Sequence, residues 1–136
     1  MSRTATVGEL MSAEPIVVWA EAPLAEAARL LDEHHIHGLP VVDGLGGLVG
    51  VISQTDMLRA RSTEELWSRW PGLRVRHLMT SPALTIEAGA DVAEAASRME
   101  RERVHRLVVV GPNGSAPIGV ISTTDLVRAM VEEARA

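Results

Sequence analysis

The feature that most constrains this chain is that it says nearly the same thing twice. Val7-Gly8-Glu9-Leu10-Met11-Ser12 is echoed by Val75-Arg76-His77-Leu78-Met79-Thr80, Met79 falling 68 positions after Met11. Leu24-Ala25-Glu26-Ala27-Ala28 returns at the same offset as Val92-Ala93-Glu94-Ala95-Ala96. Gly50-Val51-Ile52-Ser53-Gln54-Thr55-Asp56-Met57-Leu58-Arg59-Ala60 returns 69 positions later as Gly119-Val120-Ile121-Ser122-Thr123-Thr124-Asp125-Leu126-Val127-Arg128-Ala129. Three blocks in one order at nearly constant spacing mark a tandem duplication. The expected organisation is a first repeat over 7–60, a linker over 61–74 and a second repeat over 75–131.

Each copy predicts the same run of elements. A short apolar strand (16–19, 84–86) leads into a helix whose apolar residues recur at i, i+3, i+4 and i+7: Leu24, Ala27, Ala28 and Leu31, then Val92, Ala95, Ala96 and Met99. Pro23 suits a first helical turn, and Asp91 with Glu94 has N-cap spacing. A hairpin follows (39–42 with 48–52, 107–110 with 118–121), its loops rich in Gly, Asp, Asn and Pro. A second helix opens at Ser53 or Ser122. The linker, with Trp67, Trp70, Pro71 and Gly72, has no counterpart in the second copy. Its indoles, three residues apart, suit packing on the module; a ligand-stacking pair is the alternative.

Composition narrows the function classes. Among 136 residues there is no Cys, which removes disulfides, zinc-thiolate sites and thiol nucleophiles. The net charge is −5, and Trp is the only aromatic type. Neither a broad phosphate-binding surface nor a stacking platform for single strands is supplied, so nucleic acid is not an expected partner. The apolar run 16–20 is too short for a signal-peptide core, and 107–124 is broken by Pro112, Asn113, Gly114 and Pro117, so a cytoplasmic protein with no membrane span is expected.

On Leu10-Met11 and Leu78-Met79, Leu39-Pro40-Val41-Val42-Asp43 and Leu107-Val108-Val109-Val110, and above all the two Gly-Val-Ile-Ser-x-x-Asp strings, the chain resembles the cystathionine-beta-synthase (CBS) domain family, as a tandem pair or Bateman module. The resemblance covers about 7–130. It implies an α+β fold of two pseudo-symmetric repeats, each a small mixed β-sheet with two helices. It also implies clefts between repeats that take AMP, ADP, ATP or S-adenosylmethionine as regulatory ligands, and pairing of two modules into a homodimer. A protein target of the module is a further implied partner.

Ser53 and Asp56, like Ser122 and Asp125, carry two readings that can coexist. Ser-x-x-Asp at a strand-to-helix junction has capping-box spacing. The same carboxylate can accept from ribose hydroxyls while helix amides and hydroxyls face phosphate oxygens. In the second copy, His105-Arg106 resembles the phosphate-contacting pair of the energy-sensing kinase gamma subunit, against the alternative that Arg106 pairs with Glu100 or Glu102 on the surface. His37 matches His105, but Gly38 stands where the second copy has Arg106. Thr55 and Thr124 are further phosphate candidates, and residues 15–17, including Val17, and 82–84, including Pro82 and Ala83, are candidates for backbone bonds to adenine. His34, His35 and His37 are the one metal-like cluster, but a stable site wants three or four ligands arranged tetrahedrally, and a histidine-rich helix end is equally favoured by the helix dipole. No nucleophile, base and orienting group recur together, so no enzyme is expected.

Overall fold

The computed structural model describes residues 5–135, which fold as two compact units. One spans Ile16–Ala83; the other joins the described residues up to Pro15 to those from Leu84 onward. The folded unit is therefore cut about ten residues away from the repeat. In chain order, the short helix α1 (Val7–Leu10) and β1 (Ser12–Ala13) belong to the second unit. Then come β2 (Val18–Trp19), α2 (Leu24–His34), β3 (Gly38–Val42), β4 (Leu48–Ser53), α3 (Gln54–Ser62), α4 (Glu64–Ser68), a 3-10 turn (Trp70–Gly72) and α5 (Val75–Leu78), all in the first. The rest of the second unit is β5 (Thr85–Glu87), α6 (Val92–Glu102), β6 (Arg106–Val110), β7 (Pro117–Ser122) and α7 (Thr123–Arg135). Among the described residues no helix is long and apolar enough to cross a membrane.

Each unit builds a mixed sheet, β2-β3-β4 in one and β1-β7-β6-β5 in the other. β2 lies parallel to β3 and β5 to β6, while both hairpins are antiparallel. Val42 pairs with Leu48 but Val110 with Pro117, so the second hairpin loop is one residue longer. That residue accounts for the change of offset from 68 to 69. The first apolar strand of the first copy is two residues shorter than its pattern suggests, that of the second keeps its length but lies one residue later, and Pro23 is the residue before α2 rather than inside it.

The helix stripes supply the cores. Leu24, Ala27 and Leu31 pack with Leu39, Val41, Ile52, Ala60 and Val75; Val92, Ala95 and Met99 pack with Val7, Leu107, Val109, Ile121 and Leu126. Ala96 is exposed, off the stripe that its spacing suggested. Asp91 caps α6, its carboxylate accepting from the Glu94 amide at 2.8 Å. α2 and α6 both end on a non-glycine residue in the left-handed region, His35 (φ 52) and Arg103 (φ 56).

The linker belongs to the Ile16–Ala83 unit. Trp70 packs on its core, the two indoles meet at 5.2 Å between ring centroids, and the Arg61 guanidinium lies 4.8 Å from the Trp67 ring. Trp70 thus packs as expected, while Trp67 keeps an exposed face.

The lead-in explains the glycine of the repeated string. Val51 exchanges both backbone hydrogen bonds with Thr80 at 2.9 Å, so the chain after α5 crosses directly over Gly50. A Cβ there would sit 2.6 Å from the Thr80 carbonyl oxygen. In the other unit, β1 pairs with β7 at Ala13 and Gly119, and a Cβ on Gly119 would lie 2.9 Å from the Ser12 oxygen. Both glycines are required by close approach of backbone, not by a turn.

Candidate functional site

The helix start after each hairpin is built by the Ser-x-x-Asp residues. In the Ile16–Ala83 unit, Asp56 Oδ2 accepts from the Ser53 amide at 2.7 Å and from Ser53 Oγ at 3.0 Å, while Ser53 Oγ accepts from the Asp56 amide at 3.3 Å. The capping box is formed in full. The carboxylate is 5% exposed, deep enough that leaving it unpartnered would be costly. Its other oxygen, Oδ1, accepts from Arg59 Nη2 at 3.2 Å, and the same nitrogen donates to the Leu78 carbonyl at 2.8 Å. Oδ1 keeps a lone pair for a further donor such as a hydroxyl.

The other unit repeats the arrangement with one difference. Asp125 Oδ2 accepts from the Ser122 amide at 2.8 Å and Ser122 Oγ at 3.0 Å, and Ser122 Oγ accepts from the Asp125 amide at 3.3 Å. Arg128, at the position of Arg59, stands 3.6 Å from Oδ1, beyond good hydrogen-bond length. Arg59 and Arg128 were not singled out from the sequence. The signal was present, because both repeated strings place an Arg three residues after the Asp.

The strand beside the helix start brings the remaining candidates in. The Gln54 amide donates to the His37 carbonyl and the Thr123 amide to the His105 carbonyl, each at 2.9 Å. In register, Gly38 pairs with Ser53, and Arg106 with Ser122. Arg106 thus sits next to a helix start, half-buried. Among the described residues its guanidinium has no hydrogen-bond or ion-pair partner, and the pairing with Glu100 or Glu102 does not form. Burial pushes its pKa below the ordinary value, yet an arginine so shifted still carries its charge. A desolvated, unpartnered cation is what an anion site needs.

His37, His105, Thr55 and Thr124 expose their side chains around these starts. Val17 precedes β2 and is 38% exposed. Pro82 and Ala83 follow the lead-in strand. Ser81 Oγ donates to the Val49 carbonyl, so the chain leaving Thr80 runs along β4 away from Ser53, and these two residues do not join the Ser53 cluster within the unit. His34, His35 and His37 do not converge: among the described residues no group of three or more His, Asp or Glu is placed to hold a metal.

Two units with the same sheet, the same capped helix and the same close-approach glycine define a repeat family. The CBS domain model matches residues 7–63 and 75–132, and the chain belongs to that family. Among solved structures it is similar to CBSX2, a CBS-pair protein of Arabidopsis thaliana (31% identical, TM-score 0.84, 98% of this chain and 99% of that one). CBSX2 has also been solved in complex with AMP (32%, TM-score 0.82, 96% and 98%). The CBS domain pair of MJ0100, in complex with 5′-methylthioadenosine and S-adenosyl-L-methionine, is 25% identical with a TM-score of 0.81 over 93% of this chain and 99% of that one. Human 5′-AMP-activated protein kinase subunit gamma-3 is 30% identical over 119 residues, 85% of this chain but only 24% of that subunit.

Proposed function

We propose that the protein is a regulatory CBS-pair module that binds adenine nucleotides or other adenosyl ligands at its two capped helix starts. The observation that carries this reading is Arg106: a half-buried guanidinium without a partner among the described residues, paired in register with Ser122. Asp125 and Asp56 each keep capacity on Oδ1 for ribose hydroxyls, Ser122 and Ser53 hold those carboxylates in place, and Thr124 and Thr55 put exposed hydroxyls beside the helix starts. His105 and His37 flank the same starts. Val17, exposed just before β2, supplies backbone for the base. AMP bound to CBSX2, and the two adenosyl compounds bound to the MJ0100 pair, support the ligand class. The module does no chemistry of its own: the ligand favours one conformation by its differential affinity, and a protein target reads the change.

Thermal unfolding with AMP, ADP, ATP, S-adenosylmethionine and NAD tests this. A ligand bound only by the native state at a hundred times its Kd adds about 2.7 kcal/mol, a rise of several degrees in Tm for a chain of this length. No rise with any adenosyl compound at millimolar concentration would sink the proposal.

A second reading rests on a different observation. Val127, Met130 and Val131 on α7 are 58%, 59% and 48% exposed at i, i+3 and i+4, and Leu58 on α3 is 70% exposed. Such a stripe suits a second copy of the chain, making the module a homodimer whether or not a ligand is bound. Val127→Glu with Met130→Glu is expected to shift the mass in light scattering from dimer to monomer while leaving the ligand-induced rise in Tm. A wild-type chain monomeric at micromolar concentration would discard the idea.

A further inference from the structure

The two helix starts share a carboxylate geometry but differ in their supply of positive charge. We infer that they divide the ligand chemistry: the Asp125 start takes a phosphorylated adenosyl compound, and the Asp56 start takes one without phosphate. This rests on the adenosyl reading above and goes further by assigning a ligand class to each unit.

Two independent observations carry the division. The first is the strand position that pairs with the capping serine. It holds Arg106 opposite Ser122 and Gly38 opposite Ser53, so one start has a guanidinium beside it and the other has no side chain at all. The neighbouring histidines, His105 and His37, are common to both and do not discriminate. The second is the arginine one helical turn after the carboxylate. Arg59 is committed twice through one nitrogen, to Asp56 Oδ1 at 3.2 Å and to the Leu78 carbonyl at 2.8 Å. It therefore neutralises the buried carboxylate and is tethered to the end of α5. Arg128 stands 3.6 Å from Asp125 and, among the described residues, has no backbone acceptor, so it can turn toward a phosphate. The Asp125 start has two guanidinium groups to offer a phosphate, one unpartnered and one loosely held. The Asp56 start has one, already used.

A phosphate held at the Asp56 start would sit near a buried carboxylate whose arginine, Arg59, is already committed, with no side chain at Gly38 to offset the repulsion. A phosphate-free adenosyl compound needs only the ribose-to-carboxylate bonds, which the remaining lone pair of Oδ1 can accept. Gly38 is then the specificity-determining position of its unit, as Arg106 is of the other.

Calorimetric titration with AMP and with 5′-methylthioadenosine tests the division. The wild-type chain is expected to bind one AMP tightly, and to bind 5′-methylthioadenosine at a second site when AMP is already saturating. Arg106→Gly copies the residue that the first repeat tolerates at this place, so folding is expected to survive. It should weaken AMP roughly ten- to a hundredfold and leave the second site unchanged, because charge-assisted bonds to phosphate are of that size. Gly38→Arg should raise the AMP stoichiometry from one to two. Two equal AMP sites in the wild type, or AMP affinity indifferent to Arg106→Gly, would overturn the division while leaving the adenosyl reading intact. Failure of both compounds to bind the wild type would overturn both.

Discussion

Asp56→Ala is expected to lower the unfolding free energy by about 2–3 kcal/mol, because it strips a nearly inaccessible cap of three hydrogen bonds at once. The Ser53 amide loses its acceptor, and Arg59 loses its charge partner while still bonded to Leu78. Asp125→Ala removes the same cap without a close arginine and should cost less, about 1–2 kcal/mol. Denaturant titration followed by circular dichroism compares the two. Equal losses would mean that the Arg59 contact contributes nothing to stability. In the same pair of variants, each substitution should remove one adenosyl site and spare the other. A variant that folds at wild-type stability and keeps both sites would show that neither role belongs to the carboxylate.

Gly50→Ala and Gly119→Ala are expected to destabilise by about 2–3 kcal/mol each, from overpacking against backbone that cannot retreat. At Gly50 the added methyl meets the Thr80 carbonyl at 2.6 Å, and Thr80 is held by two backbone bonds to Val51. At Gly119 it meets the Met11 side chain and the Ser12 carbonyl, so relief requires β1 to leave β7. Gly44→Ala is the control: nothing lies within 4 Å of its Cβ position, and a change within about 0.5 kcal/mol is expected. If Gly50→Ala unfolds at the same denaturant concentration as Gly44→Ala, the lead-in does not press on β4.

Much of this was open to reading from residues alone, for a physical reason. Helix stripes, caps and hairpins are local, and Leu24-x-x-Ala27-x-x-x-Leu31 or Ser53-x-x-Asp56 states its own periodicity and its own bond. The Ser-Asp capping boxes and the Asp91 cap formed as their spacing required. Ala96 did not follow, since a small residue at a stripe's margin has no strong preference for either face. Nothing local marks whether Arg106 finds an acid, either. Glu100 and Glu102 were in reach by sequence, but their helix ends in a left-handed turn at Arg103 before β6 begins, and neither meets the guanidinium.

By itself the sequence determined that two copies of one small unit exist, which elements each contains, and which residues cap the helices that a ligand would meet. Duplication and periodicity are written in residue order, and capping acts over three residues. Only the tertiary structure decided that the lead-in of the first copy pairs through β1 with β7 of the second, and that the lead-in of the second pairs through Thr80 with β4 of the first. It alone decided that Arg59 is spent on a carbonyl nineteen residues away while Arg106 meets no partner among the described residues. Those outcomes depend on contacts between segments far apart in the chain. A side chain's commitment is set by which acceptors the fold brings within 3 Å, and residue order carries no such distances.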